Sequence, residues 1–250
     1  MTICASVKVR DGLALGTDSM TQIWGQDAAG NRSIVKTYSN ARKLFRVGQL
    51  KLGIMTYGIG NLGPRSIQGL VRDFDPQALD VQGVTQELYQ FFSTAYEDHF
   101  GASREAPLGF FVAGYSLNNP FAEQWEFLLP RDQEIRQVRP LDDFGGNWRG
   151  VEIPFTRLYH GFDPRMIGKL KQLGVQQEVI DQAIMQWQSP VVYDAMPVQD
   201  AIHFVVFILQ TTIGMATFEV GAPSCGGPLQ IAVVLPDKGF KWISRPSLAV

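Results

Sequence analysis

The sequence predicts an α+β fold built from antiparallel sheets and packed helices. Strand patterns occur in neighbouring pairs joined by short turns, whereas parallel sheets would alternate each strand with a helix. Helical patterns fall into separate blocks between these groups of strands. The chain has 250 residues, 45% of them apolar and 18% charged, which is typical of a globular protein. We therefore expect a single domain covering residues 1–250.

The first nineteen residues predict a β-hairpin that ends in an acid. Alternate apolar residues indicate a half-buried strand, namely Ile3, Ala5, Val7 and Val9. Asp11 and Gly12 are typical of a two-residue turn with positive φ at both central positions. Such a turn pairs Thr2 with Thr21 and points Asp18 away from the side chain of Thr2. A bulge, or a strand end near Thr17, is therefore needed to turn Asp18 inward.

The later patterns predict strands, two blocks of helices and a closing hairpin. In chain order we expect a polar loop at 25–33, extended chain at 34–38, strands at 41–47 and 50–57, helices at 67–74 and 84–99, strands at 108–115, 122–129 and 135–138, a glycine-rich loop at 142–150, two short helices within 163–188 broken at Gly174, a long helix from Pro197, and strands at 230–235 and 240–243.

Charge and cysteine usage narrow the choice of partners and cofactors. The net charge is −2 and the basic residues are scattered, so neither nucleic acid nor an anionic membrane is an expected partner. Two cysteines and three histidines show no metal-ligand spacing, and we predict no metal and no cofactor. The N-terminus lacks the apolar core of a signal peptide. The apolar stretch 201–218 favours a buried helix over a membrane span, so we expect a cytoplasmic protein.

Four residues form the leading candidate for a catalytic site. If Met1 is removed, Thr2 carries both a hydroxyl nucleophile and an α-amine that can act as its base. Lys43 near this site would lower the pKa of the amine through like-charge repulsion, and Asp18 would hold the lysine in place. The backbone N–H of Gly58 could stabilise an oxyanion. A threonine that merely follows the initiator, a turn-capping aspartate and a solvated lysine are the structural alternative.

A second candidate is the G-x-G-x-x-G string at residues 58–63, which lies between a predicted strand and a predicted helix. As a string it matches the dinucleotide-binding fingerprint, with Asp73, Asp75 and Asp80 downstream. A Rossmann unit requires a parallel strand after the helix, but further helical pattern follows here. The sequence therefore favours an ordinary glycine-lined turn.

Three other polar positions have weaker claims to chemistry. Ser224 or Cys225 could act as a nucleophile, but neither has a histidine at a recognisable spacing, so a turn is favoured. His160 is interpreted as a structural histidine, and His203, within an apolar helix, as a core residue.

The N-terminal segment resembles mature proteasome β-type subunits and their bacterial relatives, including the Anbu group. The similarity lies in Lys8-Val9-Arg10-Asp11-Gly12 followed by Gly16-Thr17-Asp18-Ser19, in Arg42-Lys43-Leu44-Phe45, in Met55-Thr56-Tyr57-Gly58, in the helix start at 196–201 and in the closing hairpin. Val220-Gly221-Ala222-Pro223 is closer to the Anbu-like branch. Three departures are visible: 145–150 replaces the family's Gly-Ser-Gly loop, its late Asp and Ser have no match near Thr217 and Glu219, and 163–188 is extra.

The resemblance implies a four-layer αββα N-terminal nucleophile hydrolase that cleaves peptide bonds and assembles into a homo-oligomeric ring or ring-like particle. It implies catalytic roles for Thr2, Asp18, Lys43 and Gly58, and a substrate pocket bordered by Thr21, Ala41 and Thr56. We expect methionine removal to free Thr2. The missing Asp and Ser leave open a catalytically inactive structural subunit of the same fold, and a small-molecule amidohydrolase is the third alternative.

Overall fold

A computed structural model describes residues 2–26, 30–101 and 106–246 of the chain. Its first large sheet, the N-terminal sheet, is antiparallel and has five strands. In spatial order they are β12 (Gly145–Gly150), β1 (Ile3–Val9), β2 (Gly12–Thr17), β13 (Gln230–Leu235) and β14 (Gly239–Ser244). The N-terminal hairpin therefore lies inside this sheet, and each of its strands has a neighbour on both sides.

The second large sheet, the central sheet, is also antiparallel and five-stranded. In spatial order it contains β11 (Arg136–Gln137), β10 (Glu123–Leu129), β9 (Leu108–Gly114), β6 (Leu52–Gly58) and β5 (Leu44–Arg46). Two small hairpins lie outside the large sheets. They are β3 (Thr21–Gln26) with β4 (Arg32–Tyr38), and β7 (Asn61–Leu62) with β8 (Arg65–Ser66).

Helices cover the outer faces of the two large sheets, and the described residues contain six helices in all. They are α1 (Ile67–Asp73), α2 (Val81–Phe100), α3 (Ile153–His160), α4 (Arg165–Gln172), α5 (Gln177–Trp187) and α6 (Val198–Phe218). Apolar residues of α1 and α2 pack on the central sheet, and those of α3 and α6 pack on the N-terminal sheet. A third apolar cluster joins the facing sides of the two sheets. This order of layers confirms the α+β class and the αββα architecture.

β1 is buried along its whole length, so the prediction of a half-buried strand was wrong. Cys4 faces the central sheet, and the side that faces the helices consists of Ile3, Ala5, Val7 and Val9. Lys8 lies on the inner side too, where its ammonium donates to the carbonyls of Pro140 and Leu141. The alternation identified the two faces correctly, but the polar face is covered by a second sheet instead of by water.

The first turn also differs from its prediction. Val9 pairs with Gly12, which makes Arg10 and Asp11 the central residues, and neither has a positive φ. Gly12 belongs to β2 and lies beside the start of α6, where a Cβ would lie 2.9 Å from a methyl group of Val198. The glycine therefore serves close packing rather than a primed turn.

The predicted loop at 142–150 is largely a strand, and a helix after it was missed. β12 pairs with β1 over six residue pairs, from Ile3 with Gly150 to Lys8 with Gly145. Glycine weakens a strand pattern in the sequence, but pairing to an already formed neighbour overrides this preference. α3 follows directly, with Phe155 and Tyr159 against the core.

The two short helices and the long helix occur where they were predicted. α4 and α5 lie on either side of Gly174. α6 is long and apolar enough, by length and composition, to cross a membrane. In this fold one side of it packs on β1 and β2 through residues such as Val205 and Leu209. His203 was wrongly expected in the core, since it lies on the uncovered side of α6 with its side chain 68% exposed.

Candidate active site

A cavity of about 440 Å³ lies beside the start of β1 and the end of β6. Six of the seven predicted site residues line it, namely Thr2, Thr21, Ala41, Lys43, Thr56 and Gly58. The seventh, Asp18, is fully buried and reaches the cavity wall through its ion pair with Lys43. The fold thus brings predicted site residues from four separate strand regions together at one cavity.

Asp18 is turned inward because β2 ends one residue earlier, at Thr17. The Asp18 backbone N–H still donates to the carbonyl of Ile3 at 3.1 Å. The Ile3 N–H, in return, donates to the Asp18 carboxylate at 3.2 Å. The side chain therefore takes the place that a backbone carbonyl would hold in a continuing ladder. Of the two arrangements that the sequence analysis allowed for an inward Asp18, a bulge or a strand end near Thr17, the structure has the strand end.

The Asp18 carboxylate accepts hydrogen bonds on both oxygens. Oδ1 accepts from Ile3 N–H and from Lys43 Nζ at 2.8 Å, and Oδ2 accepts from Met20 N–H at 3.2 Å and Gly226 N–H at 3.0 Å. Burial raises the pKa of this carboxyl above its ordinary value, while the Lys43 ammonium and the N–H groups of Gly226 and Ile3 oppose the rise. Four donors, one of them cationic, favour the ionised form despite the burial.

Thr2 lies one residue before β1 and is 4% exposed. Its carbonyl accepts the N–H of Val151 at 2.8 Å, which attaches this end of the chain to the residue after β12. Lys43 is also buried, at 7% exposure, and lies one residue before β5. Both side chains therefore extend from strand ends that belong to different sheets.

Gly58 is the last residue of β6 and has a φ of +101°, which favours glycine. A Cβ at this position would lie 2.0 Å from the carbonyl oxygen of Pro107. The neighbouring Ile59 N–H donates to that same carbonyl at 3.0 Å. The glycine therefore allows β6 to end in a close crossing with the start of β9, at the wall of the cavity.

The segment 226–230 supports the site, and sequence reasoning missed it. Gly226 gives its N–H to Asp18, and its carbonyl accepts the N–H groups of Ser19 and Met20. The Gln230 side chain bonds to the backbone at Ala41, Lys43 and Leu44. The one hint in the sequence is a polar residue directly before an apolar strand. That hint does not indicate a contact almost 190 residues away.

The competing candidates fit their positions less well. Burial raises the pKa of the Cys225 thiol to about 12, so the reactive thiolate is scarcely formed near neutral pH. His160 packs against Trp148 and Phe162, away from the Thr2 cavity, and burial lowers its pKa. Thr217 and Glu219 lie at the exposed end of α6.

The G-x-G-x-x-G string does not form a dinucleotide-binding unit. β6 before it is hydrogen-bonded antiparallel to both β5 and β9, and the β7–β8 hairpin separates it from α1. Asp80 caps the start of α2 through the N–H of Gly83. The segment 58–63 instead contains the last residue of β6 and the first strand of the β7–β8 hairpin.

Comparison with known proteins shows the fold and little more. No protein-family model matches the chain, and no curated protein matches it. A solved structure described as an Anbu (Gly-1) mutant from Hyphomicrobium sp. strain MC1 is similar, with a TM-score of 0.58 and 14% sequence identity. The match covers 99% of this chain and 89% of that one. The chain therefore has an Anbu-like sandwich fold.

Proposed function

We propose that this chain is an N-terminal threonine hydrolase that cleaves peptide bonds through an acyl-enzyme on Thr2. The observation that carries the proposal is the meeting of Thr2, Lys43 and Gly58 at one cavity, with Asp18 bound to Lys43 at 2.8 Å. A nucleophile, a cation held by a buried acid and a backbone donor are the groups that acyl transfer needs. The likeness to an Anbu structure supports the same reading.

In the proposed reaction the Thr2 hydroxyl oxygen attacks the substrate carbonyl carbon, and its proton passes to the Thr2 α-amine. The resulting oxyanion accepts a hydrogen bond from the Gly58 N–H. The intermediate collapses, the leaving amine takes the proton, and an ester remains on Thr2. Water then attacks the ester with the α-amine again as base, which releases the acid and restores the hydroxyl.

The Lys43 ammonium adjusts the basicity of that amine. An unperturbed α-amine has a pKa of about 7.7 to 8.0, and a nearby positive charge lowers it. A lower pKa leaves more of the amine neutral, and so able to accept a proton, near pH 7. Asp18 holds the ammonium in position from the side away from the cavity.

The proposal requires a free α-amine on Thr2, and therefore the removal of Met1. It includes cytoplasmic self-assembly into a homo-oligomeric ring or ring-like particle, with peptide or protein substrates and no cofactor. Thr21, Ala41 and Thr56, which line the cavity, would contact the substrate side chain.

The test is covalent labelling with a threonine-directed electrophile, followed by mapping of the adduct. Protein purified from cells should have lost Met1 by intact mass and should carry one adduct, on Thr2. Thr2→Ala should abolish labelling and peptide hydrolysis, whereas Thr217→Ala, at an exposed threonine of α6, should change neither. Retained Met1 in such protein would refute the mechanism.

The same experiments separate the two alternatives. A catalytically inactive structural subunit would assemble but take no adduct on Thr2. A small-molecule amidohydrolase would take the adduct and hydrolyse simple acyl amides, but not peptide reporters of matched sequence.

A further inference from the structure

The amide of Gln230 makes three hydrogen bonds to one short stretch of backbone. Oε1 accepts the N–H of Lys43 at 3.1 Å and that of Leu44 at 3.2 Å. Nε2 donates to the carbonyl of Ala41 at 2.7 Å. These bonds join the first residue of β13, in the N-terminal sheet, to the segment that leads into β5, in the central sheet.

If the Gln230 amide is removed, water can hardly replace these three hydrogen bonds. A glutamine amide offers two donors and an acceptor with two lone pairs, so three of its four bonds are used here. Gln230 is 3% exposed and Lys43 is 7% exposed, which leaves little access for water to replace a lost bond. An apolar side chain of the same length would fill the space but leave two N–H groups and a carbonyl without this partner.

The bonded segment is the one that carries Lys43. β5 itself has only three residues, and Lys43 lies just before it. The Lys43 carbonyl accepts the N–H of Thr56, and the Gln230 amide holds the same stretch through its N–H groups. Hydrogen bonds to β6 in the same sheet and to Gln230 of β13 in the other sheet therefore fix the backbone at Lys43. The direction in which the lysine side chain leaves the backbone is fixed with it.

Asp18 is held from the same short stretch of the chain as Lys43. Gly226, four residues before Gln230, donates to the Asp18 carboxylate and accepts from the N–H groups of Ser19 and Met20. Both partners of the ion pair therefore take their positions from residues 226–230. On the proposed function, a displacement of Lys43 would weaken its effect on the Thr2 amine without removing a reacting group.

We propose that Gln230 is a positioning residue, which sets the direction of Lys43 and keeps it paired with Asp18. The inference rests on the proposed function for its catalytic consequence. Its structural part, the restraint on Lys43, can be measured whether or not the protein is a hydrolase.

Gln124 offers a matched control. It is also a buried glutamine between the two sheets, and it bonds to Ser6 and Asn147. Gln124→Met and Gln230→Met therefore remove the same chemical group at similar burial, one beside Lys43 and one beside other partners. A purely structural role predicts equal behaviour of the two variants.

The first measurement is acylation of lysines in the full-length folded protein, followed by peptide mass spectrometry. Lys8, which is buried and held by the carbonyls of Pro140 and Leu141, serves as the internal reference. In Gln230→Met, labelling of Lys43 relative to Lys8 should rise about tenfold, because local opening now breaks fewer buried hydrogen bonds. Gln124→Met should leave the ratio within about twofold of the wild type.

The second measurement is peptide hydrolysis over a range of pH. Gln230→Met should lower kcat about 10- to 100-fold with KM within about twofold, since positioning acts on the reacting groups and not on substrate binding. Its pH profile should move to higher pH, because the amine loses the pKa-lowering effect of a well-placed Lys43.

The outcomes separate the two proposals. Equal Lys43 labelling in the two variants would overturn the inference even if the protein is an active peptidase. A rise confined to Gln230→Met supports the inference, and does so even if no Thr2 adduct forms and the proposed function fails. A rise in labelling with unchanged kcat and pH profile would overturn the catalytic part.

Discussion

Two of the buried carboxylates, those of Glu126 and Asp18, are held in different ways. Glu126 accepts two hydrogen bonds from the Arg149 guanidinium, at 2.7 and 3.0 Å, and pairs with Arg136 at 2.7 Å. Asp18 pairs with one lysine ammonium and takes its remaining bonds from backbone N–H groups. The first pair joins β10 to β12, while the second borders the cavity with Thr2.

The difference shows which of the two pairs is suited to chemistry. Arginine stays charged and binds carboxylates through a planar fork, which suits a fixed link between strands. Lysine is a compact charge on a flexible stem that can affect the pKa of a neighbouring amine. Burial and an ion pair are common to both sites, so neither feature distinguishes the candidate catalytic group. The residue type and the cavity distinguish it.

The largest loss of activity should come from breaking the ion pair of Lys43 and Asp18. Lys43→Met should reduce the rate of Thr2 acylation and peptide hydrolysis about 1000-fold, in the range of losses of acid–base assistance. Lys43→Arg should not rescue it, because a bulky planar guanidinium cannot take the place of the ammonium. Single-turnover rates, with circular dichroism to confirm folding, would check this. Full activity in Lys43→Met would exclude a role for the lysine.

Breaking the pair of Glu126 and Arg149 should lower the free energy of unfolding and leave the rate of Thr2 acylation nearly unchanged. Glu126→Gln leaves Arg149 without its carboxylate in the interior, and should lower the free energy of unfolding by about 3 kcal/mol. Denaturant titration measures this loss. The rate of Thr2 acylation, measured well below the unfolding midpoint, should stay within about twofold of the wild type. A large loss of acylation rate would show that the two regions are coupled.

A buried thiol beside each pair should make stability fall with rising alkaline pH, with the same slope in both regions. Burial raises the pKa of Cys4, near Arg149, and of Cys225, near Asp18, from 9.0 to about 12. A pKa raised by folding gives stability that is complete below pH 9 and is lost as the pH rises toward 12. In that window the unfolded thiol has lost its proton and the folded one has kept it. Each thiol therefore contributes a slope of about −1.4 kcal/mol per pH unit.

Cys4→Ala and Cys225→Ala should each make the fall of the unfolding free energy with rising pH less steep, by about 1.4 kcal/mol per pH unit. Unfolding titrations at several pH values between 9 and 11 would measure it, with pH 7 as the reference for packing effects. An unchanged slope in either variant would show that the thiol is not protected from ionisation in the folded protein.

The placement of the catalytic candidates at one cavity could be predicted because each lies beside a local strand signal, while their catalytic roles stay a prediction. Thr2 and Asp18 belong to one hairpin, and Gly58 ends a strand that the apolar pattern marks clearly. Gln230 and Gly226 were not predictable, since their partners lie 186 to 208 residues away and a lone glutamine or glycine has no periodicity to read. The sequence predicts short-range geometry here, and the fold supplies the long-range support.

The errors in the fold have related causes. β12 reads as a loop because its six residues include three glycines, and it becomes a strand by pairing with β1. The turn after β1 was misplaced because the glycine at position 12 was assigned to the turn, whereas it pairs with Val9 within β2 and lies close to Val198 at the start of α6. In both cases a neighbour in space, absent from the local pattern, determines the structure.

The α4–α5 pair has a consequence for mutational scanning. α4 buries none of its eight residues, all of which the structure describes, and α5 buries Ile180 alone. Substitutions across this pair should therefore leave the folding of the single chain almost unchanged. A saturation screen in cells would then read this surface directly. Any position there that tolerates no change, apart from Ile180, would mark a contact that the isolated chain does not make.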